Sequence, residues 1–205
     1  MVGEISLLFL LINHYHSVNE VVLQKPVYYE IKNNIESNVT RQADVVNYLK
    51  NAPRPEKITA RFFQMNNETK LQWINSLNTW TSNLLTLSYK QKTYQIDEKA
   101  KMEIVTALSN YYSIDQADRL FSVYYKRSPE GTYEYLETES ISRINLIEKN
   151  LKIQNRTEGN SHVIEITGQF IDVVNGSEYV TNEIREQYFF SRTDFRLINI
   201  KRSIR

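Results

Sequence analysis

The side chains of this chain that could do chemistry are few, and the clearest are two tyrosines, an aspartate and a histidine. If the chain folded around a ligand pocket, the polar lining would come from Tyr112, Asp115, His162 and Tyr188. Such side chains can orient a substrate or exchange protons with it when they are buried and close together. Their spacing along the chain does not indicate that they converge. They are therefore pocket candidates only under the hypothesis of a small-molecule ligand.

Two other groups of ionisable residues are better explained without a site. His14 and His16 form a His-x-His pair that lacks the nearby carboxylates or third histidine of a metal site. Asp115 and Asp118 lie three residues apart on one face of a predicted helix, where isolated carboxylates usually serve solubility. The sequence therefore predicts no metal site and no cofactor.

Motifs of catalysis and nucleotide binding are absent from the sequence. It contains no G-x-S-x-G, no H-E-x-x-H and no glycine-rich phosphate loop, and only 5 Gly in total. The formal charge is +1, whereas a nucleic-acid-binding protein concentrates positive charge on phosphates. The absence of Cys excludes disulfides and thiolate sites and is compatible with both the cytoplasm and a bacterial periplasm. We predict that the chain is not an enzyme and does not bind nucleic acid.

Paired tyrosines indicate a surface for protein contacts. Among the 14 Tyr, neighbours occur at 28–29, 111–112 and 124–125. In each pair, one ring is expected in the core and the other at the surface. Exposed tyrosine is favoured at protein interfaces because it is large, stiff and amphipathic. We predict Tyr29, Tyr111 and Tyr125 as interface residues, and the alternative is that they lie only at the rim of the core.

The first 55 residues are expected to form a hydrophobic arm and a linker. Ile5–Ile12 is the most apolar run, but it is too short to cross a hydrocarbon core, which needs about 20 residues. Two interpretations stay open, namely a buried helix and the trailing part of a membrane anchor; only the second predicts membrane contact. Thr40–Lys50 is typical of a short amphipathic helix. Pro53 and Pro55 mark the linker and place a domain boundary between residues 55 and 56.

The middle of the chain, between residues 67 and 126, is predicted to be helical. Asp97 is a suitable N-cap for a second helix, and Ser113 with Gln116 forms a capping box that opens a third. The second helix carries Met102, Val105, Leu108 and Tyr112 on one face. The first helix, from residue 67 to about 89, carries a core-facing stripe at spacings of three and four: Trp73, Leu77, Trp80, Leu84 and Leu87.

The last third of the chain is predicted to be an antiparallel sheet. Val163–Val174 and Tyr179–Phe190 are strand-like, and Asn175-Gly176 between them fits the type I′ turn of a hairpin. Phe195–Ile204 would add the last strand. For Ser140–Asn155, one long bent strand and a helix followed by a strand both fit the pattern. Helices followed by a strand meander indicate the α+β class, with packed helices on a curved antiparallel sheet over residues 56–205.

This order of elements resembles a known fold. The predicted elements are similar to those of a nuclear-transport-factor-two-like or cystatin-like cone. The elements that carry this resemblance are the helix through Trp73–Leu87, the helix pair Asp97–Tyr112 and Ser113–Lys126, and the meander Val163–Ile204. More narrowly, they resemble the VirB-eight-like inner-membrane components of bacterial type IV secretion and conjugation machines. Members of that family often carry an Asn-Pro-x-Gly turn near the last strand, and this chain has Ser-Arg-Thr-Asp at 191–194 instead, which puts the family's usual dimer contact in doubt.

The resemblance implies a periplasmic, non-enzymatic assembly scaffold. It would be anchored in the inner membrane by an N-terminal helix, and its partners would be other protein subunits or further copies of itself.

Two further functions stay open beside this scaffold. The same cone could serve as a small-molecule binder or enzyme with a pocket between the sheet and the helices, or as an extracytoplasmic surface protein unrelated to secretion. A sealed core between the helix at 67–89 and the sheet would favour a scaffold, and an open polar cavity there would favour an enzyme.

Overall fold

A computed structural model describes residues 39–136, 151–174 and 177–204 of the chain. Three of the predictions concern segments outside these residues, namely Ile5–Ile12, Tyr29 and most of the ambiguous stretch 140–155. The described elements, in chain order, are β1 Val39–Thr40, α1 Gln42–Asn51, a 3-10 helix Ala60–Gln64, α2 Asn67–Leu85, α3 Leu87–Lys90, β2 Gln95–Ile96, α4 Glu98–Leu108, α5 Ile114–Tyr124, β3 Tyr125–Arg127, β4 Tyr133–Tyr135, β5 Lys152–Glu158, β6 Ser161–Val174, β7 Ser177–Ser191 and β8 Leu197–Ile204. The predicted α+β class is confirmed.

The larger sheet contains four strands in the order β5-β6-β7-β8, and every neighbouring pair is antiparallel. The predicted hairpin pairing of β6 with β7 is confirmed, with Val174 opposite Ser177 at its end. The turn type stays a prediction, because residues 175 and 176 lie outside the described ranges. The register shifts after Phe170 in β6 and after Phe189 in β7. Such bulges bend a strand and increase its twist, which gives a curved sheet.

The ends of β6 and β7 extend past both neighbouring strands. β5 pairs with β6 as far as Thr167, and β8 pairs with β7 from Ile184 onward. In the ladders of the described residues, 168–174 and 177–183 therefore pair only with each other. We call these two segments the ribbon. Seven residues at about 3.3 Å each make it roughly 20 Å long.

A second sheet has the strand order β1-β2-β4-β3. The sequence predicted a short strand from Tyr133 to Thr138, which contains β4, but not the other three strands or their pairing. The strands of this sheet are only two or three residues long, too short for an alternating pattern to show. The helix predicted to reach Lys126 ends at Tyr124 instead, because Tyr125 enters this sheet opposite Tyr135. A turn at residues 128–131 joins β3 to β4, and Gly131 there has a φ of 84°, which glycine adopts without strain.

The predicted N-cap residues Asp97 and Ser113 are confirmed, but the capping box of Ser113 with Gln116 is incomplete, because the Ser113 N–H donates to the Leu197 carbonyl. The Asp97 carboxylate accepts a hydrogen bond from the backbone N–H of residue 100 at 2.6 Å, and the Ser113 hydroxyl accepts one from that of residue 116 at 3.2 Å. Each bond satisfies a donor that the first turn of a helix leaves free. Of the face predicted for this helix, Leu108 and Tyr112 are buried, whereas Met102 is 58% exposed, so the prediction is wrong at Met102. The residues of α4 that pack inward are Ala100, Ile104, Ala107 and Leu108.

α2 lies at the centre of the core, as its apolar stripe predicts. Leu77, Trp80 and Leu84 are all buried, and one continuous cluster joins them to residues of every other helix and of the large sheet. At about 25 cal/mol per Å² of apolar surface removed from water, this burial is the main stabilising term of the fold. α1 shares the cluster through Val45 and Leu49. Residues 39–55 of the predicted N-terminal arm are thus packed on the core. The domain boundary between residues 55 and 56 stays a prediction.

The loop between α4 and α5 joins the helices to the large sheet. The Ser113 N–H donates to the Leu197 carbonyl at 2.7 Å, and the Leu197 N–H donates to the Tyr111 carbonyl at 2.8 Å. This loop therefore extends the sheet at the beginning of β8. The opposite end of β8, at Ile204, pairs with Ile184 at the base of the ribbon. The ribbon leaves the sheet at the end away from this junction.

Candidate functional site

Tyrosine side chains fill the space between α2 and the large sheet. Tyr112 and Tyr188 are fully buried. The Tyr112 hydroxyl lies 2.9 Å from the Thr81 hydroxyl, and the Asn78 amide donates to the Tyr188 hydroxyl at 3.2 Å. Burial raises the pKa of both phenols well above the ordinary value, so both stay neutral at physiological pH. These two pocket candidates are core residues that attach α2 to the rest of the fold.

The other two pocket candidates lie elsewhere, so the four do not form one site. Asp115 is exposed in the first turn of α5, beside an open, shallow groove along Val105 and Ile114. His162, at the start of β6, stacks on Phe63 with ring centroids 4.2 Å apart. Burial, followed by the nearby Arg192 guanidinium, lowers the pKa of His162.

A buried ion pair lies on the sheet face that carries Tyr188. Glu186 is 4% exposed, and one of its carboxylate oxygens pairs with Arg202, its neighbour across β7 and β8. Its other oxygen accepts a hydrogen bond from the Tyr188 hydroxyl at 2.8 Å. Both carboxylate oxygens are thus engaged, which fits a structural role better than proton transfer. The sequence contained a signal for this ion pair. Glu186 is an acidic residue at a position of β7 whose alternate neighbours, Ile184 and Tyr188, face the core.

A second charge cluster lies on the opposite face of the sheet, around Glu165. One Glu165 carboxylate oxygen accepts hydrogen bonds from Arg185 at 2.8 Å, from Gln187 at 2.6 Å and from Arg156 at 2.8 Å. The hydrogen bond from Arg185 is the largest of several effects that lower the pKa of Glu165 to about 2, against the opposing effect of burial. Because the donors lie on β5 and β7, Glu165 on β6 connects three strands.

This cluster predicts a pH dependence of stability. Because the pKa of Glu165 is lower in the folded state than the ordinary 4.5, its ionised carboxylate stabilises the fold fully above pH 4.5. This stabilisation is lost as the pH falls from 4.5 towards about 2. Urea denaturation of the wild type should therefore show a steeper loss of unfolding free energy between these two values than Glu165→Gln shows. The mostly exposed Glu158, changed to Gln, serves as the control and should keep the steep slope. Equal slopes for the wild type and Glu165→Gln would contradict this assignment.

Two exposed tyrosines lie side by side where α3, the following loop and β4 meet. Tyr89 is 50% exposed and Tyr94 is 42% exposed. Their ring centroids are 5.8 Å apart at 80°, and Tyr89 also stacks on Tyr135 at 5.4 Å and 26°. We call Tyr89, Tyr94 and Tyr135 the tyrosine surface.

Aromatic contacts connect the tyrosine surface to the core. Tyr135 packs edge-on against Tyr125 at 5.6 Å, and Tyr125 stacks on the buried Phe121 at 4.8 Å and 12°. Aromatic pairs at such distances contribute about 0.5–1.5 kcal/mol each beyond the area that they bury. The exposed rings are therefore held in place before any partner binds, which reduces the entropy lost on binding.

The loop that carries Tyr94 has an uncommon backbone conformation. Lys92 and Tyr94 both have a φ of 57°, a left-handed conformation that costs a residue other than glycine about 1–2 kcal/mol. Hydrogen bonds hold the loop in place. The Thr93 N–H donates to the Ser88 carbonyl at 3.0 Å, and the Tyr135 N–H donates to the Tyr94 carbonyl at 2.7 Å. Strained backbone of this kind concentrates at binding sites, and here it positions Tyr94 against Tyr89.

The surroundings of the tyrosine surface are basic. The segment from Tyr89 to Gln95 contains two Lys and no acidic residue. The strand that follows Tyr125 adds an exposed Lys and an exposed Arg, and Glu134 is paired opposite that Lys. These four basic residues and one acidic residue together carry a formal charge of +3. They are Lys90, Lys92, Lys126, Arg127 and Glu134.

The predicted interface tyrosines are not the exposed ones. Tyr111 is buried, and its hydroxyl donates to the Pro55 carbonyl at 2.6 Å; Tyr125 is buried with its hydroxyl 3.0 Å from that of Ser88. The expected exposure of both residues is therefore wrong. Each lies where the chain leaves a helix, so neighbouring side chains can both point into the core. An interface role for Tyr29 stays a prediction.

The described residues were compared with what a small-molecule site, a metal site and a membrane-spanning helix require. A pocket of about 130 Å³ between Trp73, Tyr111 and Phe195 is smaller than the roughly 300–1,000 Å³ of small-molecule sites. The groove beside Asp115 is larger, about 380 Å³, but it is shallow and open to solvent. Within 39–136, 151–174 and 177–204, no group of three His, Asp or Glu could hold a metal ion. In the same ranges, no helix combines the length and the apolar character needed to span a membrane.

Fold and surface together define a class of protein, an α+β domain with helices on a curved antiparallel sheet and a rigid, basic tyrosine surface. Comparison with protein-family models, with curated proteins and with solved structures gives no significant match. The function is therefore argued from the side chains themselves.

Proposed function

We propose that this chain is an assembly scaffold that binds other proteins through the tyrosine surface. The observation that carries the proposal is the exposure of Tyr89 and Tyr94 on an aromatic stack that begins in the core. Tyrosine is enriched at protein interfaces because one rigid ring supplies a large apolar contact together with a hydroxyl. Residues of this kind, held in their binding geometry, carry most of the energy of an interface.

The filled core supports a binding role over a catalytic one. Tyr112 and Tyr188 occupy the space between α2 and the sheet where an enzyme of this architecture would need a polar cavity. The acidic residue nearest to that space, Glu186, is already paired with Arg202. Within the described part of the chain, both tyrosine hydroxyls and the Glu186 carboxylate already have hydrogen-bond or ion-pair partners, which favours a structural role over acid–base catalysis.

The proposal extends to a place of action, namely a bacterial type IV secretion or conjugative transfer machine. Support comes from the order of helices and antiparallel strands, which resembles that of VirB-eight-like components. In this proposal the domain lies in the periplasm, and Ile5–Ile12 contributes to an anchor in the inner membrane.

Site-specific photocrosslinking tests the proposal. A benzophenone amino acid replaces Tyr94 in the full chain, expressed in cells of the source organism, and irradiation should give covalent protein adducts. The same amino acid at Met102, which is exposed on α4, is the matched control and should give few. Adducts at Tyr94 no stronger than at Met102 would contradict the scaffold. Adducts only with proteins unrelated to secretion would support the scaffold and contradict its place in a secretion machine.

A further inference from the structure

A small pocket lies where four segments of the chain meet near the start of β8. Its walls come from the segment after Pro55, from the first half of α2, from the loop between α4 and α5 and from the turn before β8. We call this cavity of about 130 Å³ the Trp73 pocket. Every residue that lines it belongs to the described part of the chain. Half of its eight lining residues are aromatic or aliphatic, namely Ile58, Trp73, Tyr111 and Phe195.

The two hydrogen-bonding aromatic residues of the Trp73 pocket have already used their polar atoms. The Trp73 indole N–H donates to the Glu56 carbonyl at 2.7 Å, and the Tyr111 hydroxyl donates to the Pro55 carbonyl at 2.6 Å. What these side chains offer to a ligand is therefore the apolar surface of their rings. The same two bonds hold the segment that carries the other residues of this wall, Lys57 and Ile58.

The backbone of the opposite wall is strained. Phe195 has a φ of 59°, a left-handed conformation that is unfavourable for any residue other than glycine. Hydrogen bonds on both sides maintain this conformation. The Phe195 N–H donates to the Ser191 carbonyl at 3.1 Å, and the Leu197 N–H donates to the Tyr111 carbonyl at 2.8 Å. Strained backbone of this kind concentrates at binding sites.

The charged groups of the Trp73 pocket are dominated by hydrogen-bond donors. The Arg196 Nε lies 3.5 Å from one oxygen of Asp194, whose other oxygen accepts the Arg196 backbone N–H at 3.3 Å. Among the described residues, the two terminal nitrogens of Arg196 and the exposed Lys57 ammonium have no hydrogen-bond or ion-pair partner. Two cations and one carboxylate, which is already engaged, leave the pocket with a formal charge of +1.

These donors favour a carboxylate as the polar part of a ligand. The planar fork of an arginine matches the two oxygens of a carboxylate, and a nearby lysine adds a second positive charge. A cationic ligand would gain from the aromatic rings, but Lys57 and Arg196 would repel it. A bare inorganic anion would leave the space between the rings without an apolar occupant.

The volume of the Trp73 pocket limits the apolar part of the ligand. A cavity of about 150 Å³ in another protein holds one benzene ring. The 130 Å³ of this pocket therefore suit a single ring or a short branched chain, although they are too small for a drug-sized molecule. Two fused rings exceed this space.

We propose that the Trp73 pocket binds a small organic carboxylate with one aromatic or short branched apolar group. The carboxylate is bound by Arg196 and Lys57, and the apolar group packs between the rings of Trp73, Tyr111 and Phe195. The pocket shares no residue with the tyrosine surface, so this inference goes beyond the proposed function and does not depend on it.

A titration of the full chain with benzoate, followed by proton–nitrogen NMR correlation spectra, tests the proposal. The Trp73 indole N–H signal, identified by its loss in Trp73→Phe, should shift saturably with a Kd of about 1 mM or below. Benzamide has the same shape without the charge, and benzylamine has the opposite charge. Each should bind about tenfold more weakly than benzoate. Absence of a saturable shift with benzoate, or equal or tighter binding of either control compound, would overturn the proposal.

The size of the apolar group gives a second test with the same signal. Acetate, which has no ring, and naphthoate, which has two fused rings, should both bind more weakly than benzoate. Weaker binding of both would support a site for one ring. If either binds as tightly as benzoate, the rings of the pocket do not select the ligand and the proposal fails.

Variants of Arg196 test the polar contact. Arg196→Gln should weaken benzoate binding about tenfold, because it removes a charge-assisted hydrogen bond. Arg196→Lys keeps the charge but loses the fork and should fall between Arg196→Gln and the wild type. Arg119→Gln, the same replacement at an exposed position on α5, is the matched control and should bind like the wild type. Circular dichroism checks that each variant is folded, and unchanged binding by folded Arg196→Gln would overturn the proposal.

The outcomes separate this proposal from the assembly scaffold. If benzoate binds as expected while Tyr94 gives no specific protein adducts, the Trp73 pocket stands and the scaffold fails. If Tyr94 crosslinks to proteins while benzoate leaves the Trp73 signal unchanged, the scaffold stands and the pocket proposal fails.

Discussion

Replacing Arg202 with methionine is expected to lower the free energy of unfolding by about 3 kcal/mol, because it leaves the Glu186 carboxylate buried without its cation. Glu186 is 4% exposed and is approached only by Arg202 and the Tyr188 hydroxyl among the contacts of the described residues. The Tyr188 hydrogen bond cannot offset the cost of removing a full negative charge from water. Urea denaturation with two-state extrapolation measures the loss.

The double variant Glu186→Leu with Arg202→Met is the matched control for this prediction. Removing both charges leaves an apolar pair of similar volume, which is often as stable as a buried ion pair. We therefore expect the double variant to recover most of the stability that Arg202→Met loses. If the double variant is as unstable as the single one, packing of the arginine stem, rather than the unpaired carboxylate, is responsible.

Replacing Phe121 with alanine is expected to cost about 4 kcal/mol of unfolding free energy, the range for removing a buried aromatic ring. Phe121 is fully buried, stacks on Tyr125 and meets Tyr133 edge-on at 5.4 Å. The Lys101 ammonium lies 5.6 Å above its ring. Its removal leaves a cavity and deletes three specific contacts, and it also loosens the aromatic stack beneath the tyrosine surface.

Thermal and urea denaturation of Phe121→Ala beside Met102→Ala test this second prediction. Met102 is exposed on the neighbouring helix, so its truncation should change stability by no more than about 0.5 kcal/mol. A loss below about 2 kcal/mol for Phe121→Ala, the lower limit for large core truncations, would mean that the core collapses around the gap. The tyrosine surface would then be less dependent on the stack than we infer.

Local sequence patterns predicted the elements that depend on residues a few positions apart. The stripe from Trp73 to Leu87 predicted α2, and Asp97 and Ser113 predicted the starts of α4 and α5. The hairpin of β6 and β7 was predicted from two alternating segments around Asn-Gly. Helix periodicity, capping and tight turns depend on local geometry, which is why one sequence suffices to find them.

The tyrosine surface was not predicted from the sequence. The tyrosines expected at the surface among the described residues, Tyr111 and Tyr125, are buried, and the exposed rings are Tyr89 and Tyr94. Tyr89 lies two residues after Leu87 and therefore on the opposite side of the helix. Because Leu87 belongs to the core-facing stripe, this position indicated that Tyr89 is exposed. No comparable signal existed for Tyr94, whose direction depends on the left-handed backbone at Lys92 and at Tyr94 itself.

The sequence alone determined the class of the fold, the central helix with its two tryptophans and the hairpin that ends in the ribbon. Only the tertiary structure decided the small sheet, the pairing of Glu186 with Arg202 and the place of the tyrosine surface. The physical reason is sequence distance. The small sheet joins strands that lie up to 95 residues apart, from Thr40 to Tyr135, and each strand is too short to be specified by its own residues.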